Sequence, residues 1–404
     1  MPPPQSRTSK PALSLFLPEP ISDAELAEYS ARLSLTGQAV VLARAQHDAY
    51  LASWHEIVAA ALPGLQIAAE RPPAVASAAT DVNYGYRDPE YVVALESFFA
   101  ARDDVLQQFK ALDESFLNDL IVLSGLEDPQ LSASIALTRS REAFATVPFD
   151  LPWAILDVLQ LMRELRIEIT GNEELVWHAR EYDRRVARLR LDVIEQYPER
   201  TLEHARRSMA AWYDDHGELL APDDPQLRFQ MRGLSAFKQK AMEQELEAAE
   251  RAGELNLNMV DSAIALLPPE DGKRLLDLFR ERAFFEVYPD PGALHEVFDL
   301  LSANETLESD VRDALAVIDA QYRERHGRMC DRMTENFKER RVAQIRARGT
   351  GAPDLQRDFD LLHLEREELN LSVGKQLQIL LGTEHVAAAM EAVRFERMRA
   401  RGDR

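Results

Sequence analysis

From residue 22 onward, apolar side chains recur every three to five positions between charged ones, which is the spacing of one helix face. Leu255, Met259, Ile264, Leu267, Leu275, Leu278 and Phe279 predict a stripe that needs a partner helix to bury it. Alternating Val, Ile or Thr segments bounded by hairpin turns are nearly absent, so the pattern predicts an all-α protein.

Local chemistry marks where the helices start. Ser22-Asp23-Ala24-Glu25 spells a capping box, with Ser22 placed to accept a backbone N–H and Glu25 to reach back. Thr170-Gly171-Asn172-Glu173 and Ser302-Ala303-Asn304-Glu305 read the same way. In Asp88-Pro89, Asp128-Pro129 and Asp224-Pro225, Asp caps and Pro takes the first helical position. Breaks are expected over Pro63 to Tyr86, from Val147-Pro148 to Pro152, at Pro289-Asp290-Pro291-Gly292 and at Gly349-Thr350-Gly351-Ala352-Pro353.

Several landmarks recur in order. His47-Asp48 and Tyr182-Asp183, Asp88-Pro89 and Asp224-Pro225, Leu117-Asn118 and Leu255-Asn256, and Ala143-Phe144 and Ala283-Phe284 pair at a spacing of about 135 to 140 residues. A third, shorter copy has Ile318-Asp319 and Ala352-Pro353-Asp354. Its Glu368-Leu369-Asn370 leads to Leu380-Leu381-Gly382-Thr383-Glu384, as Glu254-Leu255-Asn256 leads to Leu266-Leu267-Pro268-Pro269-Glu270. The expected architecture is tandem helical-hairpin or three-helix repeats, packed into an elongated bundle or short solenoid so that stacking buries each stripe. Each repeat is a long helix, a second ending in the Leu-Asn element and a third starting near Pro-Glu or Thr-Glu. The divisions are a disordered tail over 1–20, repeats over 21–150 and 151–290, and a shortened repeat over 291–404.

Composition narrows the function classes. The 404 residues carry 69 acidic and 47 basic side chains, a net charge of −22 that repels phosphate backbones and argues against a nucleic-acid partner. Two basic stripes, Arg180, Arg184, Arg185, Arg188 and Arg190, then Lys338, Arg340, Arg341, Arg346 and Arg348, read as solvated helix faces with mixed ion pairs. No apolar run is long enough for a bilayer and no signal peptide is legible, so the expectation is no membrane association and a cytoplasmic protein, or a periplasmic or secreted one if an export signal has been removed.

Candidate chemistry is sparse. Cys330 stands alone in a polar helical run and reads as an inert thiol. None of the nine His has Glu three residues before it, which argues against a di-metal bundle. Tyr213-Asp214-Asp215-His216-Gly217-Glu218 reads as a solvated turn, and His178 with Glu174 and His363 with Glu367 read as surface pairs. Trp54, Trp153, Trp177 and Trp212 are expected to anchor the core. Asp48, Asp183 and Asp319, with Asn118, Asn256 and Asn370, read as groups that tie helices together by hydrogen bonds. No catalytic, cofactor-binding or metal-ligating residue is assigned, and no cofactor.

Leu33-Ser34-Leu35-Thr36-Gly37-Gln38 before a helix, and Leu-Asn followed by Leu-Leu-x-x-Glu, resemble the LTxxQ-type elements of the Spy/CpxP-like helical proteins. Leu35-Thr36-Gly37-Gln38 is one residue short of that family's spacing. The resemblance covers short segments and implies an all-α hairpin fold without catalysis that binds unfolded or partner proteins. The leading expectation is thus a non-enzymatic helical repeat protein that binds other proteins as a scaffold, adaptor or chaperone-like module. The alternatives are a helical enzyme with dispersed Asp, Glu and His, and a self-assembling structural protein; the oligomeric state stays open.

Overall fold

The computed structural model describes residues 17–70, 89–126, 129–143, 151–169, 171–221, 223–290, 292–304, 306–347 and 352–402. Among them the chain is all-helical, with thirteen helices, no strand and one isolated β-bridge between Tyr213 and Leu219. No described helix is long and apolar enough to cross a membrane. The chain forms two compact units, Met1–Leu275 and Leu276–Arg404.

The first unit contains α1 (Asp23–Arg32), α2 (Gln38–Glu70), α3 (Pro89–Ser124), α4 (Pro129–Ala143), the single turn α5 (Pro152–Ile155), α6 (Val158–Glu164), α7 (Glu173–Ala210) and α8 (Pro225–Leu266). In the capping box of α1, Ser22 Oγ accepts from Glu25 N–H at 3.2 Å and Glu25 accepts from Ser22 N–H at 2.6 Å. α1 ends with Ser34 at φ 53°, and Leu35 N–H reaches back to Ser30 O; α6 ends the same way with Arg166 at φ 56° and Ile167 N–H on Met162 O. Long helices pair side by side, α2 on α3 and α7 on α8, while α4 packs between α3 and α7.

Tyr29, Leu33, Tyr50, Phe116 and Leu120 form one core of this unit. On α7 the buried face runs Leu175, Ala179, Tyr182, Val186 and Arg190; on α8 it runs through Ala249, Ala252, Gly253, Asn256 and Val260. Small residues there let the Trp153 indole of α5 lie against the α8 backbone, and a Cβ at Gly253 would fall 2.2 Å from that ring.

α9 (Pro269–Ala283) carries the chain over the boundary. The second unit then comprises the loop from Phe284 to Leu294, α10 (His295–Ser302), α11 (Ser309–Arg346), α12 (Pro353–Leu381) and α13 (Thr383–Gly402). α11 and α12 pair along their length and α10 packs on α11 and α13. Its core joins Phe298, Leu301, Tyr322, Leu369, Val373, Leu377 and Val386.

Several sequence expectations change. Helix α2 continues through Pro63 to Glu70, because the carbonyl that loses its N–H partner belongs to Ala59 on an exposed face. Asn172, two residues after Thr170, caps α7 by accepting from Leu175 N–H at 3.1 Å, while Ser302 ends α10 and caps nothing. The Leu-Asn elements lie inside α3, α8 and α12, which run on to Ser124, Leu266 and Leu381. Leu17 to Pro20, read as tail, are held: Glu19 N–H donates to Ala143 O at 3.0 Å and Pro18 is buried. The other tail residues, Asp88, Asp128, Val147-Pro148, Pro291 and Gly349 to Gly351 lie outside the described residues.

Candidate functional site

One hydrogen-bond arrangement occurs three times. Tyr50 on α2 accepts from Ile21 N–H at 3.1 Å and donates to Asp113 on α3 at 2.7 Å. Tyr182 on α7 accepts from Val158 N–H at 3.2 Å and donates to Asn256 on α8 at 2.8 Å. Tyr322 on α11 accepts from Leu294 N–H at 2.9 Å and donates to Asn370 on α12 at 2.8 Å. Each phenol joins two long helices to the start of the short helix before them. Burial pushes all three hydroxyls up in pKa, so they stay protonated donors.

In the first unit a buried ionic lattice surrounds α4. Arg141 pairs with Asp183 of α7, with Asp157 at the start of α6 and, at 3.0 Å, with Glu142. Glu142 also accepts from Tyr29 at 2.7 Å and from Arg163. Burial opposes its charge, but Arg141 and Arg163 outweigh that and hold its carboxyl below the usual range. Arg139 donates to Asp113 at 2.7 Å. Arg190 donates to Arg141 O at 2.7 Å, and burial lowers its pKa to about 10. Three cations, Arg141, Arg163 and Arg190, thus face three anions, Glu142, Asp157 and Asp183. The lattice ties α1, α4, α6 and α7 together.

The second unit has a smaller polar core. Asp290 accepts from Gly292 N–H at 3.0 Å, pairs with His326 Nε2 at 2.9 Å and accepts from Asn370 at 3.2 Å. Burial alone would depress the His326 pKa, but the hydrogen bond to Asp290 outweighs it and raises it to about 9. Burial and the His326 charge push His295 down to about 4, so its Nε2, 3.1 Å from His326 Nδ1, acts as acceptor. Cys330 lies 3.7 Å from the same ring and Arg366 donates to Val287 O at 2.8 Å. At 5% and 2% exposure, His326 and Cys330 are closed to substrates in this conformation.

An accessible cleft of about 1480 Å³ lies in the first unit. Arg139 meets Asp113, and α4 ends one turn later at Ala143, whereas α3 runs back past that level to Pro89. The cleft lies beside this end of α4, whose Ala136, Arg139, Ser140 and Ala143 line it. Its walls are α3, the second half of α7 and the middle of α8, and its lining over Glu96 to Leu117 of α3 is roughly 32 Å long at helical rise. Phe99, Leu106, Leu191, Ile194, Leu202 and Phe237 make it apolar. Charges of both signs rim it: Arg206 pairs with Glu96 at 2.6 Å, and Arg207 pairs with Glu203 at 2.6 Å and lies 4.5 Å over the Phe237 ring. Lys110, Lys240, Glu195 and Glu199 add charge to the same lining.

The sequence-derived candidates fall unevenly on these features. Asn256 and Asn370 tie helices as expected of them, but Asn118 is exposed and Asp113 takes the matching place. Asp48 is exposed, Asp183 is buried on Arg141, and Asp319 pairs with Arg323 at 2.7 Å, so these aspartates share no common setting. Arg190 and Arg340, expected on solvated faces, are buried, whereas Arg184, Arg185 and Arg188 do make exposed ion pairs. Trp177 is 61% exposed, while Trp153 and Trp212 are buried. Asp214 organises its turn by accepting from His216 and Glu218 N–H at 2.8 Å each. His363 lies 3.5 Å from Glu367 on the surface. Among the described residues no group of three or more His, Cys, Asp or Glu is arranged to hold a metal. Compared with family models, curated proteins and solved structures, the chain matches none of them.

Proposed function

We propose that this chain is a non-enzymatic tandem-repeat helical protein that binds an amphipathic segment of another protein, as a scaffold, adaptor or chaperone-like module. The observation that carries this reading is the α3/α7/α8 cleft, an apolar trough with charged margins and the length of several helical turns. A small metabolite fills a few hundred Å³, so the volume favours a polypeptide. The acidic chain favours partners that pair exposed apolar side chains with positive charge.

The three tyrosine connectors support a three-fold repeat. Each unit of that repeat has a short helix, two long helices and a fourth: α1 to α4, α6 to α9, and α10 to α13. Buried hydrogen-bonded cores in every unit would give a stiff frame on which the cleft is displayed.

The test is suppression of a denatured client's aggregation by the wild-type chain and by Phe237→Glu, which puts a carboxylate on the apolar wall. Suppression by wild type and a client affinity about tenfold weaker in the variant, with unchanged helicity, is the expected result, since a lost apolar anchor typically costs about 1–2 kcal/mol. Equal activity of the two proteins, or none in either, rejects the reading.

A further inference from the structure

Glu19 sits at the end of α4, its N–H on Ala143 O at 3.0 Å and its carbonyl accepting from Arg139. Two residues earlier, Leu17 packs against Phe98 and Phe99 of α3 with Leu202 of α7 beside them, and Pro18 between lines the cleft. Traced from Glu19 to Leu17, the chain therefore leaves the end of α4 and enters the trough beyond it. We infer that the segment preceding Leu17, residues 1–16, is the resident occupant of the cleft.

The chemistry of the segment fits that course. Ala12, Leu13, Leu15 and Phe16 come next to the entry point, where Phe99, Ile194 and Phe237 offer apolar surface. Arg7 and Lys10 follow farther out, and Glu195 and Glu199 in the lining have no ion-pair partner among the described residues. Sixteen residues reach roughly 50 Å when extended, more than the cleft's length, and prolines at positions 2, 3, 4 and 11 favour an extended course over a helix. A short tether supplies an effective concentration of order millimolar, so weak intrinsic affinity is enough to keep the cleft filled. An external segment must then displace this one.

This goes beyond the partner reading, and its test contains no partner, so either can fail alone. Full-length chains carrying Leu13→Cys with Ala236→Cys, or Leu13→Cys with Val122→Cys, are treated with a short bismaleimide and mapped by mass spectrometry. Ala236 lines the cleft and is exposed; Val122 is exposed on α3 outside it; the native Cys330 is buried. A 13–236 link within one chain, at least fivefold above the 13–122 link, is expected. Equal yields, or absence of the 13–236 link, overturn the inference, and a 13–236 link formed only between two chains assigns the cleft to a second copy instead. Hydrogen exchange gives a second reading. Replacing Leu13, Leu15 and Phe16 together by Ser should speed exchange over residues 191–207 and 233–244 at least threefold, and unchanged rates would also overturn it.

Discussion

Tyr182 uses its hydroxyl twice, and both partners, Val158 N–H and Asn256 Oδ1, belong to buried residues. Tyr182→Phe keeps the ring and strands both groups, so it should lower the unfolding free energy by about 2–4 kcal/mol in a urea titration; a loss within error of zero would mean that the connector contributes nothing. The buried arginines are the residue-scale feature hardest to read from sequence. Apart from Glu142 beside Arg141, their carboxylate partners lie far along the chain, as Asp183 does from Arg141, and single-sequence spacing carries no trace of such a pair. A weaker trace does exist. Arg190 continues the Leu175, Ala179, Tyr182, Val186 series in phase, and Arg366 falls between Leu362 and Leu369 in theirs. A charge in step with an apolar stripe is a candidate buried charge, and both stripes contain one.

At the scale of elements, the caps and starts were largely legible because their chemistry is local: Ser22 with Glu25, Asp224 with Pro225 and Pro269 all mark helix starts. Register was less legible. Matching Asp48 to Asp183 to Asp319 misplaces the tyrosine connectors by three and then four positions, since Tyr50, Tyr182 and Tyr322 are the residues that share a role. One helical turn is the slip an amphipathic pattern tolerates, because side chains three or four apart share a face. The helix ends give a separate test. Arg166 holds a left-handed conformation at φ 56° with an exposed side chain, where a Cβ is unfavourable and glycine is not. Arg166→Gly should raise stability by about 0.5–1 kcal/mol, and a loss measured by thermal or urea unfolding would contradict the strain assigned to that turn.

At the scale of the molecule, the second unit has a pH dependence set by opposed histidines. His326 holds its proton more tightly when folded, so its contribution is full below about pH 6.5 and is lost as pH rises through about 9. His295 acts oppositely: the unfolded chain takes up the proton below about pH 6.5 and the folded chain resists to about 4, so acidification across that window weakens the unit. Asp290, held below the ordinary carboxylate range, adds a loss at still lower pH. Stability referable to these groups should therefore peak near pH 6.5, and in calorimetry His326→Gln should remove the part of the decline between pH 6.5 and 9 that wild type shows; an identical alkaline slope in both proteins would refute the pairing. The cleft was invisible from the sequence, because its lining is drawn from α3, α4, α7 and α8, residues far apart in the chain that only packing brings together. All four tryptophans, Trp54, Trp153, Trp177 and Trp212, belong to the first unit, and the lone thiol, Cys330, is buried in the second. The molecule thus carries one native optical reporter and one native chemical reporter, separated by unit. Indole emission and thiol labelling followed in the same denaturant series will show whether the two halves open as one cooperative body, with coincident midpoints, or in succession.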